Sequence, residues 1–84
     1  MTIHKSFGEL LHRERKKQGL TALAVAEACG KSRSYITLIE NGKRLPGKKI
    51  ITKIADALNL KTVVVLNWYL DDLNYQIRKS FKVS

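Results

Sequence analysis

The 84-residue sequence predicts an all-α fold, a compact five-helix bundle forming a single domain. Three observations predict it. Breaks at Gly19, Gly30, Gly42, Pro46-Gly47 and Asn59 divide the chain into five segments of helical length. Between the breaks, apolar residues recur at spacings of three and four, the helical period. The chain is also long enough for one core and too short for two. A domain this small lies near the size at which a partner subunit adds needed stability.

The segments justify themselves in turn. The first buries Phe7, Leu10 and Leu11 and turns Arg13, Lys16 and Lys17 to water. The second opens at Thr21, a good N-cap, and carries Leu23, Val25, Ala26, Ala28 and Cys29. The third runs from a Ser32 cap through Tyr35, Ile36 and Ile39 to Glu40. The fourth carries Ile50, Ile51, Ile54, Ala55 and Leu58. The fifth spans about Thr62 to Lys79, with Leu66, Tyr69, Leu70, Leu73 and Ile77 as its stripe. Its opening run, Thr62-Val63-Val64-Val65, is β-branched and also compatible with a short strand; helix is the expectation.

Charge narrows the choice of partner. Sixteen Lys and Arg against seven Asp and Glu leave a formal net charge of +9, which points to a polyanion. The stretch 31–53 holds seven of the cations (Lys31, Arg33, Lys43, Arg44, Lys48, Lys49, Lys53) against one acid, Glu40, and so carries +6 of that total. Those charges surround a short helix flanked by tight turns. A basic cluster on the first helix (Arg13, Arg15, Lys16, Lys17) reads more simply as a solvated face. At about 100° per residue, Tyr35, Ile36 and Ile39 gather in one arc of the third helix and face the core. The opposite arc holds Arg33, Ser34, Thr37 and Leu38, side chains suited to a groove-reading surface. Arg33 can fork onto guanine O6 and N7. Ser34 and Thr37 can reach base edges or phosphates, and Leu38 can pack on a thymine methyl. The short glycine-containing connection between the second and third helices completes a helix-turn-helix arrangement.

The segments Gly19-Leu20-Thr21, Val25-Ala26-Glu27, Gly30 to Thr37 and Ile39-Glu40-Asn41-Gly42-Lys43-Arg44, followed by Pro46, resemble the phage repressor and Cro-like helix-turn-helix family. The resemblance covers about Phe7 to Leu60. It implies a lambda-repressor-like domain that binds double-stranded DNA at a palindromic operator as a homodimer and regulates transcription, most simply as a repressor. It puts base reading on Arg33, Ser34, Thr37 and Leu38, and phosphate binding on Thr21, Tyr35, Asn41, Lys43, Arg44 and Lys48. It also implies a structural ion pair between Arg15 and Glu40. Two positions depart from the family pattern. Ala22 stands where a glutamine often braces phosphate, and Leu38 where a polar residue is commoner; Leu38 meets either a base methyl or a protein.

Other candidate chemistry is thin. Cys29 sits at a core position and reads as a small buried hydrophobe; a single cysteine fits a reducing, cytoplasmic setting. His4 and His12 lack companions at metal-ligand spacing, so no metal or other cofactor is expected. Asp71-Asp72 reads as a solvated face or as partners for lysines of another subunit. No nucleophile has a histidine partner and no glycine-rich loop suits a nucleotide, so neither an enzyme nor a small-molecule substrate is expected. The longest apolar run, Val63 to Leu66, is far too short for a bilayer, and no signal-length hydrophobic stretch follows Lys5. The domain is read as 7–60, the DNA-binding core, and 61–84, a C-terminal helix too rich in large apolar groups for a small monomer. Trp68, Tyr69, Leu70, Leu73 and Ile77 are the expected dimerisation residues. The rival reading is a protein-interaction module, such as an antitoxin, using Leu23, Leu38 and the same aromatic tail.

Overall fold

The computed structural model describes residues 5–81. Five helices follow one another: α1 (Phe7–Lys17), α2 (Ala22–Cys29), α3 (Arg33–Glu40), α4 (Lys48–Ala57) and α5 (Thr62–Ser80). No strand occurs among the described residues. The all-α five-helix expectation holds, with boundaries set by the caps. Ser6 and Glu9 form a reciprocal capping box at α1. Thr21 Oγ1 accepts from the Ala24 amide at 3.0 Å, and Ser32 Oγ from the Tyr35 amide at 3.2 Å. Helix α2 stops at Gly30, whose φ of 67° lets the Lys31 amide turn back onto the Ala26 carbonyl at 2.9 Å. The turn into α3 follows at once. The 62–65 run is the first turn of α5: Val65 is fully buried in the core, and that packing outweighs a weak β preference.

The core joins Phe7 and Leu11 of α1, Val25, Ala26 and Cys29 of α2, Ile36 and Ile39 of α3, Ile54 and Ala55 of α4, Leu58 just after it, and Val65 of α5. Three expected core positions lie elsewhere. Leu23 is 51% exposed, Ala28 is exposed and Leu10 is only half-buried. The eight residues of α2 present one narrow apolar arc to α3 and α4, and Leu23 falls outside it.

Asp72 corrects the solvated reading of the acidic pair. Asp71 is exposed, but Asp72 is 3% exposed and accepts a 2.9 Å bond from the Phe7 amide. That amide is one of the donors a helix start leaves without an intrahelical acceptor, and the carboxylate faces the positive end of the α1 dipole. Gln76 Nε2 donates to its other oxygen at 3.2 Å. Helix α5 therefore caps α1 from 65 residues away. Nearby, α1 crosses the end of α3 so closely that a β-carbon on Gly8 would collide with the Ile39 and Glu40 carbonyls. The first contact ties the start of α1 to α5, and the second sets it against the end of α3. Residues 1–4, which include His4 and the segment weighed as a signal, lie outside the described residues.

Candidate nucleic-acid interface

The helix-turn-helix packing divides α3 in two. Tyr35, Ile36 and Ile39 are buried, while Arg33, Ser34, Thr37 and Leu38 are exposed along the other side. Arg33 is the first residue of the helix and lines a cleft with Thr21 and Leu23. The Thr37 hydroxyl donates to the Arg33 carbonyl at 3.1 Å. Its hydrogen is thus engaged within the helix, leaving an acceptor oxygen and a methyl outward. Leu38 is 42% exposed and adds a second apolar edge.

Around this face the cations are held by geometry as well as by sequence. The Tyr35 ring is 8% exposed and carries Lys31 Nζ at 5.1 Å and Arg44 Cζ at 4.8 Å from its centroid. Two cations on one aromatic ring are mutually tolerable because each meets the negative π-cloud. The sequence marks Lys31 only as one cation of the basic stretch; its position four residues before Tyr35 is the signal for this contact. Asn41, Lys43 and Arg44 are exposed in the turn after α3, and Lys48 opens α4, whose Gly47 cap offers no side-chain acceptor. An uncapped helix start with a lysine on it favours an anion.

Behind α3, Arg15 braces the assembly. Its Nε donates to Glu40 Oε2 at 2.7 Å, its Nη2 to Glu40 Oε1 at 3.0 Å and its Nη1 to the Leu20 carbonyl at 2.8 Å. Both charged side chains are under one-tenth exposed. One guanidinium so ties α1, the turn before α2 and the end of α3 together. His12 Nδ1 lies 2.8 Å from Glu40 Oε1, a contact that its place one turn before Arg15 could have signalled. Burial pushes the Glu40 carboxyl up, but the bonds and charges of Arg15 and His12 outweigh it and hold it below the ordinary range. Its hydrogen bond to Glu40 raises Arg15 in turn, against the opposing effect of burial. Cys29 is 1% exposed, and burial raises its thiol despite nearby Lys53. Cys29 is thus a protonated core side chain.

The residues assigned to dimerisation separate. Trp68 and Tyr69 are half-buried and stand edge-on to Phe7, at 6.3 and 6.4 Å between ring centroids. They close the monomer's own core. Leu70 and Ile77 are 47% and 49% exposed, and Leu73 is half-buried. Exposed Val63 and Leu66 extend the same outward line. Among the described residues, no helix is long and apolar enough to cross a membrane.

A buried half and an exposed half of one short helix, presented by a second helix across a tight glycine turn, define a helix-turn-helix domain. The chain belongs to the Helix-turn-helix family, whose model matches residues 11–65. It is 41% identical over 56 residues to the ImmF control region 10 kDa protein of Bacillus phage phi105, covering 67% of this chain and 62% of that protein. The chain spans about three fifths of the length of the curated relatives it matches. Among solved structures it is similar to the restriction-modification controller protein C.AhdI of Aeromonas hydrophila, with a TM-score of 0.66 and 32% identity over 70% of this chain and 89% of that one. The P22 c2 repressor, solved with a synthetic operator, shares the fold at a TM-score of 0.70 and 22% identity, over 77% of this chain and 98% of that one.

Proposed function

We propose that this chain is a sequence-specific double-stranded DNA-binding regulator, a repressor that binds a palindromic operator as a homodimer. One observation carries the reading: the exposed arc of α3 offers Arg33, Ser34, Thr37 and Leu38 among neighbouring cations, and the acid of that helix, Glu40, is matched by Arg15. The major groove, about 12 Å wide, admits such a helix. Arg33 forks onto a guanine, Ser34 reaches a base edge or phosphate, and the Thr37 methyl and Leu38 meet thymine methyls. Thr21, Tyr35, Asn41, Lys43, Arg44 and Lys48 take phosphates, which supply most of the affinity and fix the register. Arg15 and Glu40 hold α3 at its angle. The names of the relatives support the reading: a phage control-region protein, a restriction-modification controller and a repressor solved with an operator.

The outward line Val63, Leu66, Leu70, Leu73 and Ile77 alternates steps of three and four, the spacing of a helix-pairing seam. Two-fold pairing through α5, with Trp68 and Tyr69 stiffening its base, would set two α3 helices about 34 Å apart, one turn of DNA.

Selection of bound duplexes from a random pool tests the proposal. Enrichment of a palindrome is expected, with the preference at one guanine relaxed by about 1–3 kcal/mol in Arg33→Ala. Recovery of unenriched sequence would overturn it and favour the protein-interaction reading, to which exposed Leu23 lends itself.

A further inference from the structure

We infer that the outer edge of α1, through Arg13 and Lys16, is a second phosphate-binding track that continues the α3 interface along the same DNA strand. The inference rests on the DNA-binding reading above and extends it to residues that sequence alone assigns to a solvated face.

The packing of α1 behind α3 puts these two cations at the two ends of the candidate interface. Lys16 lines the cleft that also holds Thr21 and Arg33, at the start of α2 and of α3. Arg13 lines a separate cleft with Lys5, Glu9, His12, Glu40 and Asn41, at the far end of α3. Both side chains are exposed. They lie three residues apart on one helix face, about 4.5 Å along its axis, each side chain lining a different cleft. Their long stems can reach neighbouring phosphates.

Of the acids at this edge, one is charge-matched and two accept from neutral donors. Glu40 is matched by Arg15, and the Glu9 carboxylate accepts from the Ser6 amide and hydroxyl at 3.3 and 3.2 Å. Glu14 accepts from Gln18 at 2.9 Å. Arg13 and Lys16 face outward at the two clefts, with Glu9 beside Arg13 in its own, and a sugar-phosphate backbone held by Thr21 or Asn41 would pass them.

The test measures affinity for a random-sequence duplex from 50 to 200 mM salt, by fluorescence anisotropy, for the wild-type chain and for Arg13→Ala/Lys16→Ala. A control, Lys61→Ala/Lys79→Ala, removes the same charge from exposed positions lining neither cleft. Losing two phosphate contacts should flatten the salt slope by about 1.8, so that wild type loses about twelvefold more affinity than the variant across that range. The base preference of a selected site should stay unchanged, and the control should keep the wild-type slope. A wild-type slope in Arg13→Ala/Lys16→Ala would overturn the inference while leaving the DNA reading intact. So would equal flattening in the control, which would mean that net charge alone matters. A wild-type chain binding no duplex even at 50 mM would instead overturn the DNA reading beneath it.

Discussion

Glu40 shows how one buried carboxylate can tie two helices together. It ends α3, one position before Asn41, and its carboxylate is desolvated against Arg15 and His12. Removing one member of a buried pair leaves the other without compensation, so Glu40→Gln should cost about 3 kcal/mol at pH 7. Because the folded carboxyl titrates below its unfolded value, its contribution is complete above the ordinary range, near 4.3, and fades as pH falls through the folded value. Urea unfolding of both chains should therefore show a gap in stability that narrows below about pH 4. A gap of equal size at pH 7 and pH 3 would remove Glu40 from this role. The family resemblance made the Arg15–Glu40 pairing legible. It says nothing of His12, whose sign in the sequence is its place one turn before Arg15.

At the scale of the helix, short-range signals were read well and long-range ones were not. The caps at Thr21 and Ser32 and the glycine after α2 act within four residues, and so those segment boundaries can be read from the chain. Asp72 and Gly8 act across the fold. Asp72 caps a helix that begins 65 residues earlier, and Gly8 makes room for a carbonyl of α3. Neither leaves a local pattern, so the sequence suggests a solvated Asp72 and is silent on Gly8. Gly8 offers a test by sign. Replacing an exposed mid-helix glycine with alanine normally stabilises a helix by about 1 kcal/mol. Gly8→Ala should instead destabilise this domain by about 2–3 kcal/mol, because the helix crossing must open. Thermal unfolding decides it, and a raised melting temperature would show that α1 and α3 tolerate the wider spacing. Leu23 was misread for a related reason: periodicity locates a stripe but not its width, and a short helix wedged between two others buries only a narrow one.

For the whole molecule, the 43 × 22 × 22 Å envelope sets the long α5 apart from the squat body formed by α1 to α4. Residues 65–72 of α5 anchor it through Val65, Trp68, Tyr69 and Asp72, whereas residues 74–81 are all exposed. If the outward line is a pairing seam, Leu70→Glu should leave monomer stability within about 0.5 kcal/mol, since Leu70 is a surface position. Sedimentation should nonetheless show a fall from twice the monomer mass to once, with weaker operator binding. An unchanged mass would place the subunit contact elsewhere. The lone sulfhydryl at position 29 has a consequence of another kind. It is sealed inside the element that presents the reading helix, so an alkylating reagent can reach it only when that element breathes. The rate of its modification is thus a built-in clock for how often the domain loosens, and a duplex that clamps the domain would slow it.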